Sequence, residues 1–180
     1  KDAKERGVKV NFICDDMRNI SFVGKFDFVI NMFTSFGYFE DESDNELVLR
    51  KISRALKPNG KFLIEINNFV GKLARALREG KIDKKTGSLT IVKKDKLSNG
   101  LMVTTKDEFN PATMRWAMTR TWKENGKVKK YKTDVRIFSP AELGSMMKRN
   151  GLRVEKICGD LQGSSLGIDS RRLVVLARKS

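Results

Sequence analysis

Two short apolar runs separated by a helical pattern constrain the fold of this sequence more than any other feature. The runs extend from Phe26 to Met32 and from Lys61 to Ile66, and each has the length of a buried strand. The residues between them end in Lys57-Pro58-Asn59-Gly60, where several helix-stopping signals follow one another. A strand, a helix and a strand in this order predict a parallel crossover unit, and therefore an α/β fold.

The intervening helix is predicted from its start signal and its apolar face. Ser43 and Glu46 have the spacing of a capping box. The residues that recur at helical spacing behind them are Val48, Leu49, Ile52, Ala55 and Leu56. A further strand is predicted upstream, from Val8 to Cys14, after a helix in residues 1–6 that ends at Gly7.

The pattern changes after a short predicted helix, Val70 to Arg78. In residues 88–138 apolar and polar side chains alternate with a period of two. Asn99-Gly100 and Asn125-Gly126 are strong hairpin turn pairs, and Asn110-Pro111 marks a third turn. This segment is therefore predicted to form an antiparallel meander with one apolar face and one basic face.

The end of the sequence returns to the α/β pattern. Ser139-Pro140-Ala141-Glu142 has the signals of a helix start, and Gly151 ends that helix. Two strands follow, Leu152 to Cys158 and Leu173 to Ala177. We therefore expect an α/β core formed by residues 1–80 and 137–180, with residues 81–136 as a β-meander insertion.

Positive charge is concentrated in the second half of the chain. The sequence has a formal net charge of +15, but residues 1–70 contain 11 basic and 11 acidic side chains. Residues 71–136 contain 18 basic and 7 acidic side chains. Charge concentrated in this way suggests an anionic partner such as nucleic acid, and a solvated basic surface is the alternative interpretation.

The residue types that are missing exclude several kinds of chemistry. The sequence has no histidine, which excludes Ser-His and Cys-His catalysis and histidine metal sites within this chain, and we predict no metal site. Cys14 and Cys158 are predicted to be buried free thiols, which suits a reducing, cytoplasmic location. No apolar run approaches the length of about 20 residues that a membrane-spanning helix needs.

Three linked segments resemble class I S-adenosylmethionine-dependent methyltransferases. Asp16-Met17-Arg18 is similar to the acidic turn after the family's third strand, and Phe26 to Phe39 to its fourth strand and the loop that follows. Ala55 to Glu65 is similar to the helix end and fifth strand, and the two closing strands to the sixth and seventh. The resemblance implies a Rossmann-like methyltransferase fold, and it identifies the meander with an insertion that many small-molecule members have over the substrate pocket.

The family's glycine-rich loop and the acidic residue that holds the ribose have no counterpart in this sequence. We therefore expect an incomplete fold that lacks the first two strands, a fragment whose remainder lies upstream in a longer protein. In the family's sheet those strands separate the third strand from the fourth, so Val8–Cys14 would have no neighbour to pair with. We expect this chain alone to bind the cofactor weakly or not at all.

The resemblance implies roles at the cofactor site for four residues. Asp16 would accept a hydrogen bond from the adenine amino group of S-adenosylmethionine, and Met17 would lie against the adenine ring. Asn31 and Met32 would face the methionine part of the cofactor and the transferred methyl group. The structural alternatives are a turn-forming Asp16, a Met17 in the core and an Asn31 that caps the following turn.

A second set of residues is predicted to line the substrate pocket: Phe36, Tyr38, Trp116 and Arg172. For Trp116 the alternative is packing onto the domain, and for Arg172 it is a solvated strand edge. Phe33 is expected to pack in the core, and Arg18 to pair with a nearby carboxylate. Glu65 is expected to form structural hydrogen bonds, and no general base is identified.

The predicted function is transfer of the cofactor's methyl group to a small-molecule acceptor by direct displacement in an apolar pocket. The alternative is a nucleic-acid methyltransferase, or an RNA- or DNA-binding module, that uses the basic insertion. The segment after Asn31 differs from the Asn/Asp-Pro-Pro-aromatic signature of amino-directed DNA methyltransferases, which argues against exocyclic base amines as acceptors. A third interpretation is a non-catalytic partner that completes the fold of another chain.

Overall fold

The computed structural model describes residues 5–180, which form two β-sheets and the helices packed on them. The predicted helix in residues 1–6 falls largely outside this range. The elements in chain order are a 3-10 helix Met17–Asn19, β1 Phe26–Asn31, α1 Glu42–Ala55, β2 Leu56–Asn67, α2 Phe69–Glu79, β3 Lys81–Ile82, β4 Leu89–Lys96, β5 Met102–Asn110, β6 Arg115–Glu124, β7 Lys127–Arg136, α3 Pro140–Arg149, β8 Leu152–Cys158 and β9 Arg172–Lys179.

The first sheet confirms the predicted crossover unit. Its strand order is β1-β2-β9-β8, with β1 parallel to β2, and with β9 antiparallel to both of its neighbours. Pairing of β1 with β2 is regular from Phe28 opposite Lys61 to Asn31 opposite Ile64. The register shifts before that point, where Asn59 takes a left-handed φ of 61° in the predicted helix-stopping segment.

Helix α1 has the predicted apolar face but a different N-terminal cap. All five residues of that face are buried: Val48, Leu49, Ile52, Ala55 and Leu56. The capping box predicted at Ser43 and Glu46 is wrong, because Asp41 precedes the helix and its Oδ1 accepts a hydrogen bond from the Ser43 amide at 2.9 Å. The capping box of Ser139 and Glu142 at the start of α3 is confirmed.

Two predictions about strands near the N-terminal side of the sheet are wrong. Residues Val8 to Cys14 form no strand, because no described segment lies beside them to pair with their backbone. Strand β1 is an edge strand and is not buried, since Phe28 and Ile30 are 47% and 61% exposed. Cys14 is likewise exposed, whereas Cys158 is buried as expected.

The second sheet confirms the predicted meander, with strand order β3-β4-β5-β6-β7 and antiparallel pairing throughout. The two Asn-Gly pairs form its hairpin turns, and both residues of Asn125-Gly126 have positive φ. On one face Leu89, Phe109 and Trp116 pack against Phe69 and Leu73 of α2. The opposite face is rich in lysine, as the register of β4 to β7 places Lys94, Lys106, Lys130 and Lys132 there.

The two sheets fall within the residue ranges predicted for the core and the insertion, although a division into domains stays a prediction. Among residues 5–180, no helix is long and apolar enough to cross a membrane.

Candidate cofactor and acceptor site

The carboxyl ends of β1 and β2 lie at one edge of the first sheet, because the two strands are parallel. Arg172, the first residue of β9, pairs with Asn67 at the end of β2 and so reaches the same edge. In open α/β sheets ligands bind outside the carboxyl ends of the strands. The edge formed by Asn31, Asn67 and Arg172 is therefore the place to look for a site.

Asp16 lies in the loop before β1, where it caps the 3-10 helix. Its Oδ1 accepts hydrogen bonds from the Arg18 amide at 2.8 Å and from Arg18 Nε at 3.0 Å, and its Oδ2 accepts one from Arg18 Nη2 at 2.8 Å. The side-chain hydrogen bond from Arg18 is the main cause that lowers the pKa of Asp16 below its ordinary value. Arg18 also binds Asp44 at 2.9 Å, which confirms the predicted pairing with a nearby carboxylate.

Asp16 and Met17 line one concavity of about 240 Å³. Ile13, Ile20 and Phe22 give it apolar walls, and the Asp16 carboxylate is one of its few charged groups. A carboxylate has about four lone-pair positions, and Arg18 occupies three of those on Asp16. Oδ2 therefore keeps a position that can accept a hydrogen bond from an amino group of a ligand in this concavity.

Met17 and Asn31 are brought together although 14 positions separate them. Asn31 Nδ2 lies 3.6 Å from Met17 Sδ, and Asn31 Oδ1 lies 3.1 Å from the Ser35 hydroxyl. The same hydroxyl donates to the Met32 carbonyl at 2.7 Å. Three of the four predicted cofactor residues, Met17, Asn31 and Met32, therefore belong to one connected corner, and Asp16 precedes Met17 directly.

The turn after β1 is tied to β2 and β9 by polar contacts. Glu65 is 3% exposed, and its Oε2 accepts a hydrogen bond from the Phe33 amide at 2.6 Å. Its Oε1 binds Arg172 Nε at 2.8 Å. Thr34 Oγ1 accepts a hydrogen bond from the Asn67 amide at 3.0 Å, and Arg172 Nη1 reaches Asn67 Oδ1 at 3.2 Å. Glu65 thus forms the hydrogen bonds expected of it.

The predicted substrate-pocket residues do not share one wall. Phe36 is 1% exposed and packs against Phe138 in the first core, while Trp116 is 2% exposed and lies in the second core. Phe36 borders only a small cavity of about 10 Å³ there, and a role of either ring at a substrate pocket stays a prediction. Tyr38 and Arg172 are accessible, and burial, with a smaller contribution from Tyr131, raises the pKa of the Tyr38 hydroxyl.

Two features of this edge were not predicted from the sequence. Phe33 is 80% exposed and not in the core, and Thr34 and Asn67 take part in the polar contacts. The signal that was present is Glu65 itself, a carboxylate inside the apolar run of β2. A buried charge of this kind requires a partner, and partners from the turn after β1 and from β9 mark a fixed position at the sheet edge.

Comparison with known proteins bears on the family and the fold of the chain. A protein-family profile described as a methyltransferase domain matches residues 1–60, which include Asp16, Met17 and Asn31. No curated protein matches the chain. The CcbJ methyltransferase from Streptomyces caelestis superposes with a TM-score of 0.76 at 16% identity, over 93% of this chain and 63% of that chain.

Two further solved structures have the same fold. An S-adenosylmethionine-dependent methyltransferase from Clostridium acetobutylicum gives a TM-score of 0.75 at 16% identity, over 99% of this chain and 68% of its own. CalS10, an amino pentose methyltransferase from Micromonospora echinaspora, gives 0.59 at 16% identity, over 92% of this chain and 63% of its own.

The chain therefore has the Rossmann-like fold of S-adenosylmethionine-dependent methyltransferases, with an antiparallel meander beside it. The resemblance to class I methyltransferases is confirmed by the family profile and by these structures. The chain spans 63% of the first of these structures and 68% of the second.

Proposed function

We propose that the protein is an S-adenosylmethionine-dependent methyltransferase that acts on a small-molecule acceptor. The observation that carries this proposal is the Asp16 concavity, in which apolar side chains lie beside the carboxylates of Asp15 and Asp16, and one accepting position of Asp16 has no partner among residues 5–180. That combination fits an adenine ring with its exocyclic amino group, and Asp16, Met17, Asn31 and Met32 are the residues that would hold the cofactor. S-adenosylmethionine, when bound, supplies a sulfonium methyl group that a nucleophile can displace directly.

The residues at this edge would bind the cofactor, orient it and exclude water from it. An aspartate is ionised near neutral pH at its ordinary pKa, and Arg18 lowers the pKa of Asp16 further, so this carboxylate is an acceptor there. The Asn31 amide is fixed between Met17 and Ser35, which suits a positioning role. No proton transfer is assigned to a residue here, because alignment of the reactants in a water-poor site can supply much of the acceleration.

A small acceptor is favoured by the exposed groups that remain near the edge. Tyr38 and Arg172 are accessible beside the turn that follows β1, and they offer a hydroxyl and a cationic group to a polar or anionic molecule. An amino pentose methyltransferase among the structural neighbours has the same fold. The direct-displacement mechanism and the small-molecule class are both part of the proposal.

Calorimetric titration of S-adenosylhomocysteine into the full-length protein tests the cofactor role. We expect Asp16→Asn to weaken binding by about tenfold, because the amide no longer offers a charged acceptor at the adenine position. The matched control is Asp27→Asn, which removes another exposed carboxylate paired with one cation, Lys57, at the opposite end of β1. Equal affinity of both variants and the wild type would contradict the assignment of Asp16.

A second function, binding to nucleic acid, is favoured by the basic face of the meander. Lys94, Lys106, Lys130 and Lys132 are exposed on that face, and only Lys106 has a carboxylate partner, Glu108, among these four in the described residues. Affinity for a single-stranded or duplex oligonucleotide should then fall steeply between low and high salt. Replacing Lys130 and Lys132 together by glutamine should reduce that salt dependence, and an unchanged slope would leave this face as a solvated surface.

A further inference from the structure

Two consecutive residues in the turn after β1 adopt backbone conformations that their side chains disfavour. Phe33 has a φ of 60° and Thr34 a φ of 55°. The left-handed region is uncommon for residues other than glycine, and it is an outlier for a β-branched residue such as threonine. Residues in such conformations persist where the surrounding structure holds them, and they cluster at functional sites.

Glu65 provides the contacts that hold this turn. Its Oε2 accepts a hydrogen bond from the Phe33 amide at 2.6 Å, and its own backbone carbonyl accepts one from the Thr34 amide at 3.1 Å. Its second carboxylate oxygen binds Arg172 at 2.8 Å. One residue of β2 thus binds both amides of the strained pair, and an arginine from β9 compensates its buried charge.

The turn in its left-handed form fixes the side chain of Asn31. It returns the chain so that the Ser35 hydroxyl lies 3.1 Å from Asn31 Oδ1. The single hydrogen of that hydroxyl is shared between the Asn31 oxygen and the Met32 carbonyl, which lies 2.7 Å away, and the Asn31 amide nitrogen faces Met17 Sδ at 3.6 Å. The orientation of the Asn31 amide therefore depends on a turn that Glu65 holds from the next strand.

We infer that Glu65 is a positioning residue for this site: by holding the left-handed turn at Phe33 and Thr34, it sets the orientation of the Asn31 amide. The statement that this amide faces S-adenosylmethionine rests on the proposed function, whereas the positioning itself does not. Glu65 does not need to contact a ligand, since it is buried and both of its oxygens are occupied within the protein.

The variant Glu65→Gln tests this role because an amide cannot replace the carboxylate at both contacts. Its single oxygen can accept from Phe33 or from Arg172, and its NH2 group would then face the other donor. The matched control is Glu155→Gln, which removes a carboxylate from another glutamate–arginine pair of the same sheet, with Arg178. Both variants lose one ion pair, but only Glu65→Gln removes a contact with the turn after β1.

Two measurements separate positioning from cofactor binding. The first is the NMR signal pair of the Asn31 side-chain amide without ligand, assigned by its loss in Asn31→Asp. The second is the calorimetric affinity for S-adenosylhomocysteine. We expect Glu65→Gln to shift the Asn31 signals and to weaken binding by about tenfold, and Glu155→Gln to change neither. In a Phe33→Gly background, where the left-handed backbone at position 33 costs little and only Thr34 stays strained, adding Glu65→Gln should shift the Asn31 signals less.

Each outcome decides the inference. Unchanged Asn31 signals in folded Glu65→Gln would overturn it, as would a shift of equal size in the Phe33→Gly background. If the signals move as expected while neither the full-length wild type nor any of its variants binds S-adenosylhomocysteine, the positioning role is supported and the cofactor assignment is overturned.

Discussion

Lys72 of α2 should make the stability of this protein depend on pH in the alkaline range. Its amine lies 4.0 Å from the ring centroid of Trp116, in the core between α2 and the meander. Burial lowers the pKa of Lys72 from 10.5 to about 8, while the Asp107 carboxylate acts in the opposite direction and Arg75 adds to the lowering. The charged amine is thus held where it is poorly solvated.

The sign and size of the effect follow from this pKa. Between pH 8 and pH 10.5 the unfolded chain binds more protons at Lys72 than the folded chain does, so the free energy of unfolding rises with pH in that window. A shift from 10.5 to about 8 corresponds to roughly 3.4 kcal/mol, at about 1.36 kcal/mol for each pKa unit. Since the amine is not fully buried and water can relax around it, we expect a measured rise of about 2 kcal/mol.

The variant Lys72→Met keeps the length of the side chain and removes the charge. We expect it to be more stable than the wild type at pH 7, by about 2 kcal/mol, because the lost desolvation cost outweighs the lost cation–π contact and the lost attraction to Asp107. The difference should close as the pH approaches 10.5, where the wild-type amine is neutral. Urea unfolding followed by tryptophan fluorescence at pH 7, 8, 9 and 10 measures this difference.

Lys94→Met is the matched control, because Lys94 is exposed on the opposite face of the meander. Its stability should follow the wild type across the whole pH range. If the curves of Lys72→Met and the wild type stay parallel from pH 7 to pH 10, Lys72 titrates at its ordinary value and the argument from burial is refuted.

Two glycine substitutions in helices should change stability in opposite directions. In α2, a Cβ at Gly71 would overlap the carbonyl oxygen of Ser170, so Gly71→Ala should destabilise by about 1–3 kcal/mol in urea unfolding and expose the loop before β9 to limited proteolysis. In α3, a Cβ at Gly144 would meet no atom closer than 3.7 Å, so Gly144→Ala should raise the free energy of unfolding by about 0.5–1 kcal/mol. A loss of stability in Gly144→Ala, or none in Gly71→Ala, would show that the packing of these helices differs from the one described.

Much of the fold could be predicted because its signals are local. The Asn-Gly pairs require left-handed backbone that suits hairpin turns, and the Ser139 capping box acts within four residues. The crossover unit follows from the order of its elements. By contrast, the strand predicted at Val8–Cys14 depends on a partner strand, and local composition cannot supply one.

The site was predicted less completely because its contacts join distant parts of the chain. Asp16 and Arg18 pair at a separation of two residues, which sequence reasoning can reach. The contact between Glu65 and the Phe33 amide spans 32 residues, and it stabilises a backbone conformation that neither Phe33 nor Thr34 favours. Nothing in a local pattern predicts a left-handed phenylalanine, so only the structure could show that Phe33 is exposed.

The distribution of charge reconciles a basic protein with the cationic cofactor proposed for it. A net charge of +15 would oppose a sulfonium if it acted as a whole, but charges separated by more than about 10 Å are largely screened at physiological salt. At the sheet edge the local cations are paired: Arg18 binds Asp16 and Asp44, and Arg172 binds Glu65. Within residues 5–180, three lysines without a carboxylate partner, Lys94, Lys130 and Lys132, lie on the outer face of the meander. Since Arg18 faces two carboxylates and Asp15 lines the same concavity, a ligand at the sheet edge experiences a net negative set of groups, and the excess positive charge lies elsewhere on the chain.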